Sequence, residues 1–223
     1  LPIWDTLYVS QANLQILSAN TNMLSKVISK TLSGYSALPF LFLGGNKLSE
    51  MVANDSDGAI FRHSTYLSVL DLSRNGIVNI PRHFFKGPLR LTTLFLQGNK
   101  LVDISFTKSF FASILFLNLS DNKMRDFQSN VALAIHMSSR SHKLQIDLTR
   151  NIFDCSCGKY QVDFINLLQK TTDVNYFFVN IRLTSANTTL VKNVNFSSCQ
   201  NLKQIRTANF LTRNLHAQLW HLS

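Results

Sequence analysis

One short phrase recurs six times along this chain and constrains its fold more than any other feature. The clearest copy reads Leu-Ser-Val-Leu-Asp-Leu-Ser-Arg-Asn-Gly-Ile over residues 67–77. Apolar residues open and close it, and an asparagine follows its central Leu-x-Leu. The other copies are Leu14/Leu17/Ala19/Asn22/Leu24, Leu38/Leu41/Leu43/Asn46/Leu48, Leu91/Leu94/Leu96/Asn99/Leu101, Ile114/Leu117/Leu119/Asn122/Met124 and Lys143/Ile146/Leu148/Asn151/Phe153. Six copies in register predict a repetitive structure.

The spacing of the apolar residues predicts one short β-strand in each copy. Alternate residues of a strand point to opposite faces, so both leucines of Leu-x-Leu point inward and the residue between them points outward. The asparagine follows where the chain turns off the strand. There its amide can hydrogen-bond backbone groups of its own and the neighbouring coil that would otherwise be buried without partners. We therefore expect a stacked ladder formed by Asn22, Asn46, Asn75, Asn99, Asn122 and Asn151.

The phrase resembles the leucine-rich-repeat pattern L-x-x-L-x-L-x-x-N-x-L. Successive ladder asparagines are 24, 29, 24, 23 and 29 residues apart, and repeats of this family span roughly 20–29 residues. The resemblance implies an α/β solenoid, a horseshoe with short parallel strands on its concave face. Leu32, Phe61 and Phe85 each lie six residues before an opening leucine. These three residues are expected to form an apolar column under the convex wall.

The composition narrows the class of protein. The 223 residues are 45% hydrophobic, which excludes wholesale disorder, and they carry a formal net charge of +10. The basic residues are scattered, which favours a solvated basic surface over a dedicated nucleic-acid face, although an acidic ligand remains compatible with this charge. No window approaches the ~18 uninterrupted apolar residues of a membrane helix. The first residues also lack the basic start and apolar run of a signal peptide.

Residues 1–152 are assigned to about six repeats without an N-terminal cap. Ile3, Trp4 and Leu7 are apolar enough to pack beneath the first strand, but no cysteine-bearing cap precedes them. A solenoid end without a polar cap exposes a strand edge and the open end of its core. We therefore expect this chain to be the C-terminal part of a longer solenoid.

The outward strand positions predict the binding surface. The residues between the two inward leucines of each strand are Ser18, Phe42, Asp71, Phe95, Asn118 and Asp147. Exposed aromatic residues that cluster on one face tend to mark contact sites. Phe42, Asp71 and Phe95 are accordingly the candidates for binding a ligand or partner. The alternative is that the two phenylalanines only stack against the flanks of adjacent coils.

Four Asn-x-Ser/Thr sequences favour a secretory location. They begin at Asn54, Asn118, Asn187 and Asn195, and each is a candidate for N-glycosylation. Together with cysteines that are expected to oxidise, they indicate an extracellular or luminal protein. A glycan on Asn118 would stand in the middle of the concave sheet, and it would direct ligands to a side or convex surface.

Residues 153–200 differ in character from the repeats. The last copy runs into Cys155-Ser-Cys157, and the apolar spacing over residues 162–168 predicts an amphipathic helix that closes the core. A Cys-x-Cys pair does not bridge to itself comfortably, so at least one of these thiols must look elsewhere, and Cys199 is the other cysteine. A zinc site is the alternative, but the usual two-residue spacer and a nearby histidine are missing.

This ending resembles the C-terminal cap of Toll-like receptor ectodomains, and the resemblance covers residues 14–200. It implies a disulfide-stabilised cap over residues 153–200 in which Cys157 and Cys199 form the bridge. Cys155 matches the first cysteine of the family pattern and stays unpaired, because the third cysteine is missing here.

Residues 201–223 then form a juxtamembrane-like tail. It has a helical leucine stripe, but polar residues interrupt the stripe and exclude a lipid-spanning segment. By the same resemblance, membrane attachment is expected through a helix outside this chain.

The resemblance implies the ectodomain of an innate immune pattern-recognition receptor. Such a protein binds a microbial or danger-associated ligand, forms a homo- or heterodimer of receptor chains, and faces the cell exterior or the endosomal lumen. The alternative is another extracellular leucine-rich-repeat binding protein, either a variable lymphocyte receptor or an adhesion or matrix protein. The sequence contains no nucleophile, metalloprotease or P-loop motif, so no enzymatic activity, cofactor or metal is expected.

Overall fold

The computed structural model describes residues 14–27, 32–125, 130, 131, 133–135, 138, 144–147, 150 and 151. In this part of the chain six short strands form one parallel sheet in the order β1-β2-β3-β4-β5-β6. Their bounds are β1 Ile16–Ser18, β2 Phe40–Phe42, β3 Val69–Asp71, β4 Thr93–Phe95, β5 Phe116–Asn118 and β6 Gln145–Asp147. Each strand therefore pairs with the strand of the next coil, as stacked repeats require, and the predicted open parallel sheet is confirmed.

The register of the sheet aligns equivalent residues of successive coils. Leu41 pairs with Leu70, Leu70 with Leu94, and Leu94 with Leu117. Each of these residues is the middle residue of its strand and points into the core. Because side chains alternate along a strand, the residues on either side point outward.

The inward leucines form the core of the coils. Leu94 in β4 and Leu96 just after it are fully buried. Removing one such side chain from water contributes about 1.5–3 kcal/mol to stability. The equivalent residues of the neighbouring coils are also buried: Leu41, Leu43, Leu70, Leu72, Leu117 and Leu119. The regularly spaced leucines thus stabilise each coil, because their side chains pack against those of the neighbouring coils.

Short helices lie at Ser49–Asn54 and Lys108–Ser113, in the segments that lead from one strand to the next. We call this side of the coils, opposite the strands, the return side. The second helix begins after Thr107, whose side-chain oxygen accepts a hydrogen bond from the Phe110 N–H at 3.3 Å. This bond satisfies one of the N–H groups that a helix start leaves without a partner. Phe110 itself is buried in the layer behind the leucines.

A row of phenylalanine rings lies behind the leucines. Leu32 and Phe61 are buried there as predicted, but in the next coil the fully buried residue is Phe84, and Phe85 is only partly buried. The Phe84 N–H donates to the Pro81 carbonyl at 3.0 Å, and this tight turn directs the Phe84 ring inward. Ring contacts with centroid distances of 4.5–6.2 Å connect Phe61, Phe84, Phe85, Phe106, Phe110 and Phe111.

Candidate functional site

The asparagines after the strands connect neighbouring coils. Asn99 is 6% exposed. Its Oδ1 accepts hydrogen bonds from the N–H groups of Asn75 and Ile77 at 2.9 and 3.0 Å. Its Nδ2 donates to the carbonyls of Leu72 and Leu96 at 3.0 and 2.8 Å. Other ladder asparagines accept from the preceding coil in the same way, with Leu24 N–H donating to Asn46, Leu48 N–H to Asn75, Leu101 N–H to Asn122 and Met124 N–H to Asn151.

Asn22 differs from the buried asparagines. Its side chain is exposed, and its Nδ2 donates to the carbonyls of Ala19 and Asn20 in its own coil, at 3.0 and 3.1 Å. The buried asparagines hydrogen-bond backbone groups that water cannot reach, whereas the backbone groups bound by Asn22 lie near solvent. The same residue type therefore has a different energetic role at this position.

Two columns of outward residues make up the solvent-facing side of the sheet, which we call the sheet face. Neighbouring members of a column belong to adjacent strands and are separated by about 4.8 Å. The first column is Ile16, Phe40, Val69, Thr93 and Phe116, and the second is Ser18, Phe42, Asp71, Phe95, Asn118 and Asp147.

The register places the three candidate residues side by side on the sheet face. Phe42 pairs with Asp71, and Asp71 pairs with Phe95. All three are partly exposed, and two strand spacings put the backbones of the phenylalanines about 10 Å apart on either side of the carboxylate. Asp71 Oδ1 accepts a hydrogen bond from the Ser73 N–H at 2.8 Å. This bond directs the carboxylate toward the turn that follows the strand, at the end of the sheet face.

The first column adds apolar residues that were missing from the predicted site. Ile16 and Phe40 are 58% and 37% exposed, and the ring of Phe116 lies 5.7 Å from that of Phe95. The predicted site contains one outward position per strand. The same two-residue alternation makes the position two residues earlier point outward as well, so this signal was present in the sequence.

The sheet face differs in charge from the chain as a whole. The chain carries +10, yet the outward strand positions include Asp71 and Asp147 and no Lys or Arg. Among the residues that the structure describes, the basic side chains therefore lie outside the strands. A partner on the sheet face meets aromatic rings and carboxylates.

Asn118 lies in the second column beside Phe95. Its Oδ1 accepts hydrogen bonds from the backbone N–H of Ser120 at 3.0 Å and from the Ser120 hydroxyl at 2.7 Å. The two polar side chains of this glycosylation sequence are thus already in contact, and Asn118 is only partly exposed. Asn54, at the end of its helix, is exposed.

Several predicted features lie outside the described residues. They are the cap over residues 153–200, the tail over residues 201–223, the bridge between Cys157 and Cys199, the unpaired Cys155, and the sequons at Asn187 and Asn195. Among the residues that the structure does describe, no group of His, Cys, Asp and Glu is arranged to hold a metal ion. None of the helices in this same part of the chain has the length and hydropathy needed to cross a bilayer.

Comparison with known proteins agrees with this architecture. The family model described as leucine rich repeat matches residues 65–124, the part of the chain that contains β3, β4 and β5. The fold is that of a leucine-rich-repeat domain. The ladder asparagines and inward leucines are the residues of this leucine-rich-repeat domain that hold its coils together.

Individual relatives share less than a third of their aligned residues with this chain. Fibromodulin from Oryctolagus cuniculus is 28% identical over 142 residues, which are 62% of this chain and 86% of fibromodulin. Fibromodulin from Sus scrofa gives the same values. Human 5T4, also named trophoblast glycoprotein, has a similar structure with a TM-score of 0.58 and 20% identity over 79% of this chain. The leucine-rich-repeat chain spans 63% of the 5T4 chain, and this likeness extends to the fold alone.

Proposed function

We propose that this leucine-rich-repeat chain is the binding module of an extracellular protein and that a protein partner docks on the sheet face. The observation that carries the proposal is the side-by-side placement of Phe42, Asp71 and Phe95 on three adjacent strands. Partly exposed aromatic residues supply contact area at a protein interface. The sequence match to fibromodulin also supports the proposal.

The chemistry of the sheet face favours a partner segment that is apolar and basic. A Lys or Arg side chain placed over Asp71 would meet a carboxylate with a phenylalanine on either side. Cations are attracted both to carboxylates and to the faces of aromatic rings. The net charge of +10 made an acidic ligand compatible with the chain, but such a ligand fits the turns and the return side better than the sheet face.

A binding screen tests this proposal. The purified chain is immobilised and exposed to a panel of purified extracellular proteins and microbial cell-wall fractions, and every binder is measured again with the Phe42→Ser/Phe95→Ser double variant. We expect at least a tenfold loss of affinity, because central aromatic anchors contribute about 2 kcal/mol or more at interfaces. The matched control is Val78→Ser/Val102→Ser, which removes two exposed apolar residues that lie outside the strands. Binders that respond equally to both double variants would rule out docking on the sheet face.

The first candidate for the whole protein is a pattern-recognition receptor of the Toll-like type. Its support is the Cys155-Ser-Cys157 ending with Cys199, which resembles the cap of that family. In that case the partner is a microbial or danger-associated ligand, and ligand binding brings two receptor chains together at the extracellular face of the plasma membrane or in the endosomal lumen. Sedimentation of the chain with and without its ligand tests this candidate, since a ligand-dependent dimer is expected.

A second candidate is a secreted matrix protein. It is supported by the match to fibromodulin, in which the aligned region is 86% of the relative's length. The full-length gene product separates the two candidates. A membrane helix followed by a signalling domain would establish the receptor, whereas a product that ends without a membrane helix would favour the matrix protein.

Glycosylation provides a further prediction. We expect a glycan on the exposed Asn54 and none on Asn118, because a sugar at Asn118 would cover Phe95 and Phe116 on the sheet face. Mass spectrometry after enzymatic deglycosylation, which converts an occupied Asn to Asp, measures both positions in protein secreted from animal cells. Full occupancy of Asn118 would contradict docking on the sheet face and would favour a side or convex surface.

A further inference from the structure

A cavity of about 510 Å³ opens on the return side of the coils. One wall is the turn over residues 81–87, and the opposite wall is the start of the helix Lys108–Ser113. The volume lies within the range of about 300–1,000 Å³ that is typical of small-molecule sites. The cavity is remote from the sheet face, because it lies behind the phenylalanine row.

Aromatic rings form the floor of this cavity. Phe85, Phe106 and Phe110 contact one another, with centroid distances of 5.3, 5.2 and 4.5 Å. Phe106 and Phe110 are largely buried, and Phe85 is half-buried. Leu89 extends the apolar surface toward the mouth, where it is 72% exposed. An apolar ligand would cover the exposed surface of Leu89 and the exposed part of Phe85, and removing that surface from water is favourable at about 25 cal/mol per Å².

The mouth of the cavity is basic. Arg82, His83 and Lys86 are exposed and line it, and the lining contains no Asp or Glu. Within the part of the chain that the structure describes, these three side chains have no acidic partner. The hydroxyl groups of Thr107 and Ser109 lie on the opposite wall, 2.8 Å apart. One of them donates to the other, and the accepting hydroxyl can donate its own proton to an anion. An apolar floor below a basic rim complements a molecule with an apolar body and one anionic group.

We propose that this cavity binds a single-chain anionic amphiphile, of which a medium-chain fatty acid is the simplest example. The carboxylate contacts Arg82 and Lys86 at the mouth, and the chain lies over Phe85, Phe110 and Leu89. The limited volume favours one alkyl chain over a two-chain lipid. Because the cavity is separate from the sheet face, this site adds a small-molecule ligand to the protein partner proposed above.

Dodecanoate below its micelle concentration is the probe. Isothermal titration calorimetry with the full chain should show one site, and Arg82→Glu/Lys86→Glu should weaken binding at least tenfold, because attraction becomes repulsion at the mouth. The matched control is Lys100→Glu/Lys123→Glu, which changes the net charge by the same amount on exposed lysines outside the cavity. The control should change the affinity less than twofold. Unchanged thermal midpoints show that both variants fold.

Two further arms make the result decisive. Leu89→Ser should weaken dodecanoate binding about threefold, whereas Val78→Ser, which also replaces an exposed apolar residue, should not. Dodecyltrimethylammonium has the same chain with a positive head and should not bind. The proposal is overturned if the cationic amphiphile binds as well as dodecanoate, or if both charge-reversal variants lose affinity equally. It is likewise overturned if phosphatidylglycerol vesicles bind but dodecanoate does not, since that outcome indicates attachment to a membrane surface.

Discussion

Replacing Asn99 by alanine should lower the free energy of unfolding by about 4 kcal/mol, although Asn99 has no part in any proposed binding site. The side chain is the partner of four backbone groups, on Asn75, Ile77, Leu72 and Leu96. Three of these groups are left without a partner, because the Leu96 carbonyl also accepts from Asn122 Nδ2 at 3.0 Å. Each buried polar group in that state costs about 1–3 kcal/mol, and water entering the vacated space offsets part of the total. The measurement is urea denaturation followed by circular dichroism, in which the midpoint should fall with little change in slope.

Asn22→Ala is the matched control for this prediction. Asn22 donates to two carbonyls near solvent, so its loss should cost less than about 1 kcal/mol, because water can replace it. Equal losses for the two variants would show that the ladder does not stabilise the coils through buried hydrogen bonds. Asn99→Asp adds a second comparison. The carboxylate retains acceptors for the N–H groups of Asn75 and Ile77 but has no donor for the carbonyls of Leu72 and Leu96. We therefore expect a larger loss of stability than for Asn22→Ala.

The second large effect is expected for Gly58→Ala, at about 3 kcal/mol. Gly58 has a φ of +71°, and a Cβ there would collide with the carbonyl oxygen of His83. A left-handed backbone costs a non-glycine residue about 1–2 kcal/mol, and relieving an overpacked contact costs about 1–3 kcal/mol more. Because the obstacle is backbone, relief requires movement of the turn that forms one wall of the basic cavity. Thermal unfolding measures the loss, and titration with dodecanoate measures the movement.

Gly76→Ala separates the two contributions. Gly76 has the same φ of +71°, but an added Cβ meets nothing within 4 Å. It should therefore show only the backbone cost of about 1–2 kcal/mol. If Gly58→Ala were as stable as Gly76→Ala, the turn over residues 81–87 would move away from the added Cβ at no measurable cost, and the prediction would be wrong. Weakened dodecanoate binding is expected for Gly58→Ala and not for Gly76→Ala.

The separation of charge on this molecule has a consequence for its partners. The sheet face carries carboxylates and aromatic rings, whereas the mouth of the cavity carries Arg82, His83 and Lys86. Added salt should therefore weaken the binding of a basic protein partner and of dodecanoate alike, because both contacts join opposite charges. The net charge does not reveal this separation of acidic and basic surfaces, because it is a sum over the whole chain.

The sequence by itself determined the strands, their parallel order and the inward leucines, because these follow from periods of two residues within a strand and of about 24 residues between strands. It also determined that Phe42, Asp71 and Phe95 share one face. Tertiary structure decided what the periods do not encode. It placed Phe84 rather than Phe85 in the core, and it joined residues 81–89 and 106–113 around one cavity. The physical reason is that strand register is a local repeat, whereas the return segments vary in length and their side chains are directed by packing against the next coil.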